Sequence, residues 1–80
     1  MIKYSKEAEK FILSQGKTVA LRLYRAIERL PLGDVKRLQG NKKPPLYRLR
    51  VGNYRAIFCL EQDVFMILRV DNWGDAYKKL

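Results

Sequence analysis

Residues 46–58, LYRLRVGNYRAIF, decide how this chain folds. Two runs of alternating character meet at Gly52-Asn53. In the first, Tyr47, Leu49 and Val51 point one way while Arg48 and Arg50 point the other. A glycine leading a two-residue loop is the signature of a type II′ hairpin turn. Such a loop sets Val51 opposite Tyr54, Arg50 opposite Arg55 and Arg48 opposite Ile57. The run VFMILRVD at 64–71 offers a third strand after Glu61-Gln62-Asp63. If those three residues form the loop, Leu60 faces Val64, Arg55 faces Arg69 and Ile57 faces Ile67. The expected core face is then Tyr47, Leu49, Val51, Tyr54, Ala56, Phe58, Leu60, Val64, Met66, Leu68 and Val70. The opposite face carries Arg50, Arg55 and Arg69 in one row, with Arg48 one pair away. Beyond the arginines it carries Ile57, Cys59, Phe65 and Ile67.

Upstream of the hairpin the period changes from two to three and four. Ile2-Lys3-Tyr4 can form a short first strand. Ser5 suits a helix N-cap with Glu7 in the first turn. Ala8, Phe11 and Ile12 share one face of the helix that follows. Ser14-Gln15-Gly16 ends it. A second helix, starting near Thr18, places Ala20, Leu23, Ile27 and Leu30 on one face, and Pro31 stops it. Arg22, Arg25 and Arg29 share another face of that helix. Residues 31–45 read as turn chemistry throughout. The fold class is α+β: an N-terminal helical hairpin packed on a small antiparallel sheet.

Eighty residues make one domain, spanning 1–80. A chain this short buries roughly 60–65% of its unfolded surface, so its stability margin is small. No apolar run approaches the ~20 residues that cross a bilayer, and the first residues lack the apolar core of a signal peptide. A cytoplasmic protein without membrane contact is expected. Cys59, the single cysteine, has no internal disulfide partner and reads as a small buried hydrophobe. No His/Cys/carboxylate cluster has metal-ligand spacing, and no cofactor is expected.

Seventeen Lys and Arg against eight Asp and Glu give a net charge of +9. Such a field favours polyanionic partners: RNA, DNA or an acidic protein. Like charges directly opposed in a sheet destabilise it by up to ~1 kcal/mol per pair. An arginine row therefore points to a bound anion or an acidic partner. The plainer alternatives are that the side chains splay into water, or that Asp71 and Glu61 neutralise them. The apolar half of the same face is covered either by the chain's own tails or by a partner's amphipathic helix or added strand.

PPLYRLRVGNYRAIF followed by VFMILRVDNWGDAYK resembles the RelE/ParE superfamily of toxins from bacterial toxin–antitoxin systems, over nearly the whole chain. The terminal Asp-Asn-x-Gly-Asp-x-Tyr is closest to the RelE-like branch. That resemblance implies a ribosome-dependent endoribonuclease that cuts messenger RNA. Its catalytic residues would be Arg48, Arg50, Arg55 and Tyr77. Arg69, Trp73, Lys42 and Lys43 would touch RNA. Ile57, Cys59, Phe65 and Ile67 would receive the partner. The resemblance also implies a cognate acidic antitoxin, whose own DNA-binding part, not this chain, would contact DNA. ParE-like relatives share the fold and poison DNA gyrase. The alternative function is accordingly a non-cleaving toxin or binding module acting on gyrase or on the ribosome.

Cleavage of RNA uses the 2′-OH as the nucleophile on the adjacent phosphate. The protein must help remove a proton, stabilise the phosphorane and protonate the leaving oxygen. The chain has no histidine. Arginine stabilises charge but stays protonated. Tyr77 can relay a proton, stack on a base, or simply pack. Family members usually carry a basic residue where this chain has Trp73. Its replacement removes a charge from the phosphate site, so cleavage is expected to be attenuated unless Trp73 stacks on a base.

Overall fold

The structure is a computed structural model that describes residues 1–40 and 43–72. Ser5 sits between the first strand and the first helix and joins them. Its hydroxyl accepts from the Ala8 amide at 3.0 Å and caps α1, Lys6–Ser14. The same hydroxyl donates to the Leu68 carbonyl at 2.8 Å, fixing the helix start to the last strand. The second helix, α2, runs Lys17–Glu28. As their spacing required, Ala8 and Ile12 of α1 and Ala20, Leu23 and Ile27 of α2 are buried, with Leu30 just beyond.

These side chains cover one face of a five-stranded sheet. Its strands are β1 (Ile2–Tyr4), β2 (Asp34–Arg37), β3 (Tyr47–Val51), β4 (Tyr54–Glu61) and β5 (Val64–Asn72), in the spatial order β1-β5-β4-β3-β2. The α+β architecture read from the sequence holds. The sheet is mixed, however, because β1 lies parallel to β5, with Ile2 beside Phe65 and Tyr4 beside Ile67. Both helices and strands β2, β3 and β4 lie between them in the chain, a long connection of the kind a parallel pair needs. The other correction is β2. Asp34-Val35-Lys36-Arg37 lies in a stretch expected to be all turn, yet it pairs with β3 and sets Val35 beside Leu49 at the core. One apolar residue in four gives periodicity nothing to register.

The β3–β4 hairpin has the expected register, Val51 with Tyr54 and Arg50 with Arg55. Gly52 has φ +59 there, as the first position of a type II′ turn requires. A Cβ at this glycine would lie 2.5 Å from Nη2 of Arg22, whose flexible side chain would have to shift.

The β4–β5 hairpin departs from expectation twice. Its loop is two residues, not three: Gln62 (φ 49) and Asp63 (φ 66) are both left-handed, and Glu61 pairs with Val64. A β-bulge then inserts Leu68, so that Phe58 faces Ile67 while Ile57 faces Arg69. The shorter loop turns residues 65 and 67 inward. Ile67 is fully buried and Phe65 packs edge-on to Phe58, with ring centroids 5.8 Å apart. The bulge restores the original phase, and Val70 is buried as expected.

Candidate nucleic-acid interface

The sheet face away from the helices is ordered by that register. Across β2, β3, β4 and β5 the paired residues are Asp34, Arg50, Arg55 and Asp71. The adjacent row is Lys36, Arg48, Ile57 and Arg69. The expected row of Arg50, Arg55 and Arg69 is thus corrected. Two arginines lie side by side and a carboxylate brackets each end, while Arg69 moves one row over. The shorter loop and the bulge each shift β5 by one residue, and together they carry Asp71 rather than Arg69 to the position across from Arg55.

Each bracket makes contact. Arg55 Nε donates to Asp71 Oδ1 at 3.2 Å and its Nη2 donates to Oδ2 at 2.9 Å. Arg69 Nε lies 3.8 Å from the same Oδ2. Arg48 Nη1 donates to the Asp34 carbonyl at 3.2 Å and approaches Oδ1 at 3.4 Å. Arg48 and Arg55 are therefore held by neighbouring strands. Arg50 is exposed and Arg69 reaches into solvent with a side chain 64% accessible. Four guanidinium groups on one face, interleaved with Asp34 and Asp71, suit a phosphate backbone.

Among the described residues proton transfer is less well provided. Burial pushes the Tyr4 hydroxyl up to about 12, aided by Glu28, Tyr24 and Glu9 nearby. Burial likewise raises Tyr24, with Glu9 adding to it, and raises the Cys59 thiol beside Glu61. All three hold their protons at neutral pH. Among the described residues no group of three or more His, Cys, Asp or Glu side chains could hold a metal ion.

The other expected site residues divide as follows. Ile57 and Cys59 share the arginine face, Ile57 half-buried and Cys59 buried. Phe65 and Ile67, expected beside them as a partner surface, belong to the core, for the loop reason above. Met66 and the bulged Leu68 occupy the outer face in their place. Lys43 is exposed in the loop before β3. Lys42, Trp73 and Tyr77 lie outside the described residues.

A second basic surface lies on the helical side. Lys17, Arg22, Arg25 and Arg29 of α2 and its C-terminal end line a groove of about 580 Å³, floored by Ala26 and Val51. A smaller hollow of about 180 Å³ continues it past Leu32 to Asp34 and Arg50. Leu21 and Leu32 stand exposed along its length, at 45% and 64%. The spacing of Arg22, Arg25 and Arg29 signalled a cationic helix face. The apolar floor contributed by β3 carried no sequence signal, because it arises from packing.

Comparison with known proteins agrees with the fold. The model of the family described as the ParE toxin of the type II toxin–antitoxin system parDE matches residues 2–77. The chain is similar to one in the crystal structure of the archaeal RelE–RelB complex from Pyrococcus horikoshii OT3. Identity there is 32%, TM-score 0.72, covering 91% of this chain and 93% of that one. It is also similar to a chain of the RelB–RelE antitoxin–toxin complex from Methanococcus jannaschii. There identity is 25% and TM-score 0.70, with 96% of each chain covered. No curated protein matches significantly in sequence.

Proposed function

Because the chain belongs to the RelE/ParE superfamily of type II toxin–antitoxin toxins, we propose that it acts by cutting messenger RNA on the ribosome. The observation that carries the reading is the exposed sheet face bearing Arg48, Arg50, Arg55 and Arg69. Arg55 and Arg50 grip the scissile phosphate and stabilise the phosphorane, and Arg48 and Arg69 hold the flanking backbone. Lys42 and Lys43 add to the RNA contacts. Tyr77 assists proton movement. Trp73, where a basic residue is usual, lowers the rate.

Primer extension on ribosome-bound message tests this reading, with the chain and its Trp73→Arg variant side by side. Discrete new 5′ ends are expected, stronger for the variant. No new ends from either form, together with inhibition of gyrase supercoiling, would transfer the function to the ParE-type target that the family match equally favours.

A cognate antitoxin is the implied partner, since both similar structures are complexes with one. The α2 groove suits an acidic amphipathic segment: four cations for its charge, Val51, Ala26, Leu21 and Leu32 for its apolar side. The double reversal Arg25→Glu/Arg29→Glu is expected to weaken antitoxin binding at least ten-fold, about 1.4 kcal/mol, in a titration calorimeter. The free toxin's action on message should be unchanged. Unaltered affinity, with loss instead on Ile57→Asp, would move the docking site to the arginine face.

A further inference from the structure

We propose that Asp71 is a positioning residue that presents Arg55 to the RNA phosphate in a fixed orientation; this rests on the phosphate-binding reading of the arginine face. A guanidinium has two edges that can each donate a pair of parallel hydrogen bonds. Asp71 takes the edge formed by Nε and Nη2, at 3.2 and 2.9 Å. The edge formed by Nη1 and the second Nη2 hydrogen is turned away from the carboxylate. That edge is the right fork for a non-bridging pair of phosphate oxygens. The pair is only partly open to water, Arg55 at 33% and Asp71 at 24%. Oδ2 also lies 3.8 Å from Arg69 Nε, a looser ion pair than that with Arg55.

The placement depends on the bulge. With an unbroken ladder from the Glu61–Val64 pair Arg55 would face Val70, and Asp71 would fall opposite Tyr54 on the other face of the sheet. Insertion of Leu68 brings Asp71 opposite Arg55, and the Ser5 hydroxyl takes the Leu68 carbonyl. An acid at the centre of a phosphate site lowers its net charge and so opposes binding. Its geometric service is the compensation, because a misplaced group costs up to ~10²-fold in rate.

Two measurements on the full chain separate positioning from mere charge balance. Asp71→Asn removes the charge and breaks the two-pronged acceptor at nearly constant volume. It is expected to bind a ten-nucleotide single-stranded RNA as tightly as the parent or tighter, by fluorescence anisotropy. It should nevertheless cleave ribosome-bound message at least ten-fold more slowly at saturation. Asp71→Glu keeps two acceptor oxygens on a longer arm and should recover part of the loss. Tighter binding together with faster cleavage would make Asp71 an inhibitory counter-charge and overturn the proposal.

The second measurement does not need cleavage, so the two readings can fail separately. The Arg55 Nε–Hε resonance in a nitrogen–proton correlation spectrum, assigned through Arg55→Lys, should be resolved and slow to exchange in the parent and in Asp71→Glu. It should be broadened or lost in Asp71→Asn. In the parent it should persist when the decaribonucleotide is added, because the phosphate takes the other edge. An identical resonance in parent and Asp71→Asn, or its loss on adding RNA to the parent, overturns the proposal whether or not the chain cuts message. If Asp71→Asn fails to fold, the parent's response to RNA and the Asp71→Glu rate still decide.

Discussion

Arg55→Ala is expected to lower cleavage of ribosome-bound message by about 10²–10³-fold, measured in whichever of the parent and Trp73→Arg forms cuts faster. The magnitude is that of losing one charge-stabilising contact to a developing anion, about 2.7–4 kcal/mol. Arg55 is the arginine for which the largest loss is expected. It sits in the middle of the sheet, paired with Arg50 on one side and Asp71 on the other. Its two bonds to Asp71 fix its orientation before RNA arrives, so little entropy is lost on binding. Arg69, 64% accessible and only 3.8 Å from Asp71 at its nearest, is less ordered, and Arg69→Ala should cost much less. Arg55→Lys should fall between, because an ammonium keeps the charge and loses the fork. The fold should survive all three, since none of these side chains is in the core. Unchanged 5′ ends from Arg55→Ala, with the protein folded by circular dichroism, would remove the arginine face from catalysis.

That face was only partly legible in the sequence. The β3–β4 half was readable because Gly52 heads a two-residue loop and the flanking runs alternate, so Arg48, Arg50 and Arg55 could be placed without a structure. The β4–β5 half was not. Gln62 and Asp63 both adopt left-handed backbone without a glycine to announce it. Nothing in MILRV marks Leu68 as a bulge. The two departures offset each other in phase: the shorter loop turned Phe65 and Ile67 inward, and the bulge returned Arg69 and Asp71 to the outer face. The sequence therefore assigned Arg69 and Asp71 to the correct face and gave Arg55 the wrong partner. β2 was invisible because a strand with one inward apolar residue and three polar ones looks like loop. The α2 groove was half visible, its cations by helical spacing and its apolar floor not at all.

The register itself carries the second large effect. Ile67→Ala is expected to destabilise the domain by about 2–5 kcal/mol, whereas Leu68→Ala should cost clearly less, about 1–2 kcal/mol. Ile67 is fully enclosed, on the face that packs against α1 and α2. Truncating it leaves a cavity that the surrounding side chains fill only in part. Leu68, the bulged residue, is 37% exposed, so its removal opens no enclosed cavity and gives up less buried surface than Ile67 does. An 80-residue domain has roughly 4–12 kcal/mol of total stability at 0.05–0.15 kcal/mol per residue. The Ile67 variant thus loses a large share of it, and its melting temperature should fall by about 4–8 °C for each kcal/mol. An unbroken three-residue-loop register makes the opposite demand, with Leu68 in the core and Ile67 outside. Urea midpoints of the two variants, compared at equal slope, discriminate between them. A costlier Leu68→Ala would mean that no bulge exists, that Arg55 stands across from Arg69, and that Asp71 does not orient it. A costlier Ile67→Ala establishes the two-residue loop, the first of the two one-residue shifts that set the Asp-Arg-Arg-Asp row.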